Sequence, residues 1–116
     1  MSKEGSSRGQ LLQGTLDLIV LRTLDIMGPQ HGYGLALRIQ QVSKDLLHLN
    51  QGTLYPALLR LEQQGWIKSE WGKSENNRQA RFYSISRAGK KALQEDTERW
   101  RRLSGVINSL LEDPVS

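Results

Sequence analysis

Apolar residues early in the chain recur at helical rather than alternating spacing. Leu12, Leu16, Ile19, Val20 and Ile26 gather on one broad face, and Leu18, Leu21 and Leu24 occupy much of the remaining circumference. The spacing predicts a helix from about Gln10 to Met27, stopped by Gly28 and Pro29. A helix apolar on most of its circumference needs cover on more than one side, from its own chain or from a second subunit. A second helix is expected from Gly32 to Ser43, with Ala36, Leu37 and Ile39 towards the core and KDLLHL as the connector that follows.

The next segment, NQGTLYPALLRLEQQGWI, places Leu54, Ala57, Leu58 and Leu61 on one helical face. Gly65 ends that helix, because glycine accepts the left-handed conformation of a C-terminal cap at little cost. Two short runs rich in aromatic and β-branched residues, WIKSEW and ARFYSIS, then flank the polar GKSENNRQ, which reads as a β-hairpin with a longer loop. Asn76 and Asn77 serve its turn, since asparagine tolerates positive φ. Ser86 caps a last helix running to about Leu111, before Pro114. The fold class is therefore mainly α with a small β-hairpin. Three helices, a two-stranded ribbon and a long C-terminal helix make the layout of a winged helix-turn-helix. Its expected divisions are a disordered polar arm over residues 1–9, the winged unit over 10–86 and the terminal helix over 87–112.

The third helix raises a chemical question, because its opening carries Gly52 and Pro56. A start between Gln51 and Thr53 would put Pro56 in the first turn, where a missing N–H costs nothing, and leave Gly52 as a point of close approach. Opposite the apolar face lie Gly52, Pro56, Leu59 and Gln63, with Thr53 and Arg60 on one flank and Tyr55 on the other. No carboxylate occurs between Asp45 and Glu62. Such a surface suits approach to a phosphate backbone: Thr53 and Tyr55 can donate to phosphate oxygens, and Gln51 is of the type that pairs with adenine edges. Lys44, in the connector, joins the same DNA-binding set. The hairpin loop supplies Lys73, Arg78 and Arg81 against one acid, Glu75, and can lie along the backbone or reach into a minor groove. The competing reading makes Gly52 and Pro56 mere turn-formers and the loop an ordinary solvated one.

Composition narrows these options. The 116 residues make one domain, and sixteen Lys and Arg against twelve Asp and Glu give a formal charge of +4. That favours an anionic partner without separating nucleic acid from acidic lipid or protein, and a simple basic protein has the same charge. The absence of cysteine excludes disulfides, thiolate metal sites and a thiol nucleophile. The longest strictly apolar run, Leu18 to Leu21, falls far short of the roughly 20 residues that cross a bilayer. Nothing behind MSKEGSSRGQ resembles a signal peptide, so a cytoplasmic protein without membrane attachment is expected. GPQHGYG follows a helix and lacks the lysine of a phosphate-binding loop. His31 and His48 have no carboxylates at metal-ligand spacing, and His31 is better placed to satisfy backbone at a helix start. Glu95 and Asp96 project in different directions. Without a nucleophile beside a base, no enzyme, metal or other cofactor is expected.

On the last helix, Leu93, Trp100, Leu103, Ile107 and Leu110 fall on the a and d positions of a heptad frame that Asp96 interrupts. Together with Leu12 and Leu16 of the first helix they are the expected homodimer seam, the alternative being a helix folded back on its own domain. Two third helices about one DNA turn apart would read a double-stranded, pseudo-palindromic operator. Trp100 can stack on a planar ligand between subunits or serve simply as core. Arg99, Arg101 and Arg102 beside it suit an acidic effector or form a solvated face.

Four segments, HGYGLALRI, GTLYPALLRLEQQGWI, ENNRQARFYSIS and AGKKAL, resemble the PadR family of bacterial transcriptional regulators, and the likeness runs over roughly residues 12 to 112. The resemblance implies a winged-helix dimer that represses transcription at an operator of two-fold character and is released by an effector. By matching position it assigns Tyr33 of the second helix, and Gly52, Thr53, Leu54 and Tyr55 of the third, to the DNA-facing motif. Arg78 and Arg81 match its basic wing. A single terminal helix is similar to the short subfamily. Some relatives answer to phenolic acids or planar aromatic drugs, and no motif here transfers either specificity. The reading from another class is a winged-helix protein-interaction module that binds no nucleic acid.

Overall fold

In the computed structural model the inward stripe of the first helix, α1 (Ser2–Met27), is Val20, Leu21 and Leu24, all sealed from solvent. The structure describes residues 2–112, with side chains from Gly14 onward, so the expected arm over 1–9 and Leu12 lie outside the described side chains. Leu16, Leu18 and Ile19 pack partly against the core. Ile26, expected to share their face, is exposed instead, because its helical phase lies nearly opposite Val20 and Leu24. Gly28, at φ +80°, turns the chain into a strand of two residues, β1 (Gln30–His31).

The helix α2 (Gly32–Val42) starts on His31, whose Nδ1 accepts a hydrogen bond from the Gly34 amide at 3.0 Å. Leu35 and Ile39, one turn apart, enter the core. Leu37, expected inward, is exposed because it points away from that pair, while Ala36 is partly buried. The turn after α2 is unusual in that Lys44 (φ 55°) and Asp45 (φ 67°) are both left-handed. Their amides bond back to the Gln41 and Gln40 carbonyls, and Gln40 Nε2 donates to the Asp45 carboxylate at 3.1 Å.

Asn50 caps α3 (Gln51–Gln63), its side-chain oxygen accepting from the Thr53 amide at 2.9 Å. With the helix beginning at Gln51, Pro56 falls in the second turn rather than the first. An N–H there would bond the Gly52 carbonyl, so proline leaves that acceptor without its helical donor. Gly65 (φ +77°) turns the chain out of α3 as expected.

The hairpin pairs β2 (Ile67–Lys73) with β3 (Gln79–Ile85) in antiparallel register, from Ile67 opposite Ile85 to Lys73 opposite Gln79. Asn77 (φ 59°) takes the positive turn conformation. β1 adds to the other edge of β3, so the expected two-stranded ribbon is a three-stranded sheet of order β1-β3-β2. Ser86 fixes the start of α4 (Arg87–Glu112): its Oγ accepts from the Gly89 amide and donates to the Gly65 carbonyl at 2.6 Å, joining the end of α3 to the head of α4.

One core collects Leu21 and Leu24 of α1, Leu35 of α2, Leu54, Leu58 and Leu61 of α3, and Ile67 of β2. From α4 only its first two turns contribute, through Ala92 and Leu93. No helix among the described residues is long and apolar enough to cross a membrane.

Candidate nucleic-acid interface

α2 and α3 form the helix-turn-helix and β2–β3 the wing. On α3, Leu54, Ala57, Leu58 and Leu61 are buried while Gly52, Pro56, Leu59 and Gln63 on the opposite side are exposed, Leu59 by 56%. Gln51 and Thr53 are exposed as well. Leu54 is 2% accessible, which removes it from the DNA-facing motif that the resemblance assigned: it anchors α3 from behind.

Tyr55 is half-exposed, and its ring lies directly on Gly32 at the start of α2. A Cβ at position 32 would sit 2.6 Å from the tyrosyl oxygen, so a larger residue there would displace the ring from this position. Tyr33, 74% exposed, stacks at 6.5 Å on His31. The two tyrosines line a cleft of about 330 Å³ between α2 and α3 together with Leu37, Gln40 and Gln51. Lys44 is exposed at the turn joining the two helices.

Two expected contacts prove to be engaged within the fold. Arg60 donates to Asp17 of α1 at 2.7 Å, with 30% and 14% of the two side chains accessible. It fastens α3 to α1 and does not belong to the outward surface. Burial pushes the Asp17 carboxyl above its ordinary range; the hydrogen bond and charge of Arg60 act in the opposite direction. Arg81 stands on β3 rather than in the loop. It donates to Ser69 at 2.8 Å and approaches Glu62 of α3 at 3.4 Å, bracing the wing against that helix. Among the described residues, Lys73 and Arg78 are exposed wing cations without an ion pair.

Sequence reasoning passed over Trp71. It is 65% exposed, opposite Arg81 in the hairpin register, with the guanidinium 6.0 Å from the ring centre. Alternation along β2 puts Trp71 on the same side as Ile67, Ser69 and Lys73, and Ser69 bonds Glu62 of α3. The indole therefore belongs to the wing surface beside α3. The period-two pattern of IKSEWGK was the available signal.

A second exposed surface follows the far half of α4. Trp100, Leu103, Ile107 and Leu110 are all uncovered, whereas Leu93 belongs to the domain's own core and drops out of the expected dimer seam. Leu16 is partly buried on that core. Trp100 borders an apolar cleft of about 430 Å³ with Ile19, Ile26, Met27 and Val42, to which Arg22, Arg38 and Arg101 bring positive charge. No group of histidine and carboxylate residues among the described ones could hold a metal.

A helix-turn-helix with an acid-free outward second helix, next to a basic ribbon, defines the winged-helix class of DNA-binding proteins. Comparison with known proteins narrows the class. The model of the transcriptional regulator PadR-like family matches residues 20–95, and the chain belongs to that family, one of regulators and not of enzymes. A solved transcriptional regulator from Clostridium thermocellum superposes with a TM-score of 0.79 at 31% identity, over 89% of this chain and 99% of that one. A PadR family regulator from Eggerthella lenta gives 0.71 at 30% identity, over 96% and 95%. An uncharacterized protein of Lysinibacillus sphaericus is 26% identical over 90% of this chain and 95% of its own.

Proposed function

We propose that the chain is a homodimeric repressor that reads a pseudo-palindromic operator and is released by a small effector. The observation that carries the DNA reading is the outward face of α3: exposed and free of carboxylates from its cap to Leu61. Gln51 and Thr53 address base edges and phosphates at the start of the helix, Tyr33 and Tyr55 donate hydroxyls from the cleft between the helices, and Lys44 adds charge at the turn. Lys73 and Arg78 follow the backbone from the wing, beside Trp71, while Arg81 keeps the wing in place.

Support for the dimer is the stripe of Trp100, Leu103, Ile107 and Leu110, apolar and exposed among the described residues. The arginine-edged cleft beside Trp100 suits a planar or acidic effector, whose occupancy would change how the two subunits sit.

The test is a mobility-shift titration with random-sequence duplex at several salt concentrations. A phosphate-tracking protein loses affinity along a straight log–log line of slope about −0.9 for each phosphate contact. If no shift appears at low salt, the protein-interaction module becomes the better account of the fold.

A further inference from the structure

The outward face of α3 is apolar at its centre, where polar groups would be needed to read bases by hydrogen bonds alone. Leu59 is 56% exposed, Pro56 is exposed one turn earlier, and both are phased opposite the buried leucines. Among the described residues, nothing closes over Leu59. Arginine and lysine make the commonest specific contact in the major groove, a bidentate one to guanine O6 and N7. α3 has a single cation, Arg60, and Asp17 holds it at 2.7 Å on the inner side. The helix thus has no guanidinium or ammonium free to grip guanine. It offers amides at Gln51 and Gln63, hydroxyls at Thr53 and Tyr55, and between them the two hydrocarbon surfaces of Pro56 and Leu59. Of the groups on the major-groove edges of the bases, only the thymine C5-methyl is matched by hydrocarbon.

We propose that Leu59, backed by Pro56, packs on thymine C5-methyl groups in the major groove, so that methyl recognition helps select the operator. The proposal rests on the DNA reading above and deepens it. No carboxylate flanks this patch on α3 before Glu62, which bonds Ser69 and Arg81 of the wing, so the apolar strip can approach a polyanion without repulsion.

The test begins with duplexes selected by the full-length protein from a random pool. The best of them is then synthesised with thymidine and with deoxyuridine, which removes each methyl and keeps pairing and backbone charge. Wild type should lose about fourfold in affinity for each buried methyl removed, and on the order of tenfold for two symmetric half-sites. Leu59→Ala, a change at an exposed position checked by its melting curve, should bind the thymidine duplex more weakly and no longer distinguish the two. Leu59→Met, which keeps an apolar tip, should retain the preference. Three results overturn the proposal while leaving DNA binding intact: equal wild-type affinity for both duplexes, an equal uracil penalty in wild type and Leu59→Ala, or selected operators without thymine. Absence of any salt-sensitive DNA binding would instead remove the parent reading and this one with it.

Discussion

α3 and the far half of α4 both turn apolar side chains outward, but they are bordered differently. Around Leu59 and Pro56 the helix carries no carboxylate before Glu62, with which Arg81 of the wing pairs, and its one cation is tied inward to Asp17. Around Trp100, Leu103 and Ile107 lie Asp96, Glu98, Arg99, Arg101 and Arg102, acids and bases together. A two-fold contact brings a surface against its own copy, so a border of mixed sign can pair with itself. A border without acids suits a partner that is negative throughout. On the proposed function, the contrast separates a surface for a second copy from one for a duplex, although both look like exposed hydrophobic patches.

The sharpest way to break this contrast is Leu103→Asp. Placing an unpaired charge in the proposed seam should cost about 3 kcal/mol or more in association, felt twice by symmetry. Sedimentation should show monomer; a well-folded, unaltered dimer would end the self-pairing account of α4. Next in size, Tyr55→Phe keeps the ring on Gly32 and removes only the hydroxyl. A lost bond to a phosphate should weaken operator binding about tenfold with an unchanged melting temperature. Unchanged affinity in a titration would take Tyr55 out of the interface.

Arg60→Ala should act on the fold and not on the salt slope, lowering stability by about 1–3 kcal/mol because the part-buried Asp17 loses its donor. Its pH dependence has a definite sign. Burial already raises the Asp17 carboxyl in the folded state, and loss of Arg60 raises it further. A raised carboxyl favours folding below its unfolded value and loses that contribution as pH rises through the folded one. The deficit of the variant, followed by denaturant melts, should therefore shrink in acid and widen towards neutral pH. The smallest effect is expected from Arg78→Ala, which should leave stability alone and reduce the magnitude of the salt slope by about one for each subunit, about two for the proposed dimer. An unchanged slope would detach the wing tip from the backbone.

What could be read in advance follows from the range of the interactions. The four buried residues of α3 and their opposite strip came directly from helical periodicity, and the caps at Ser86 and Gly65 from local chemistry. β1 has only two residues, too few to show any alternation, and exists because β3 has a free edge. The Asp17–Arg60 pair joins residues 43 apart in sequence, so Arg60 looked available until the packing of α1 on α3 was known. Trp71 and Arg81 meet through the hairpin register, which the length of the polar loop left open. Leu93 fitted the heptad frame with Trp100 and Leu103, yet it belongs to the domain core, because α4 runs across the domain before leaving it.

The tyrosine resting on Gly32 also limits how such a protein can acquire a new preference. With no side chain between them, the tip of the phenol ring lies on the α2 backbone, and a Cβ at position 32 would make that ring shift from its place in the cleft. Exchanging single outward residues, such as those at 52 or 59, leaves this contact as it is. Retargeting becomes a matter of swapping type in a fixed press.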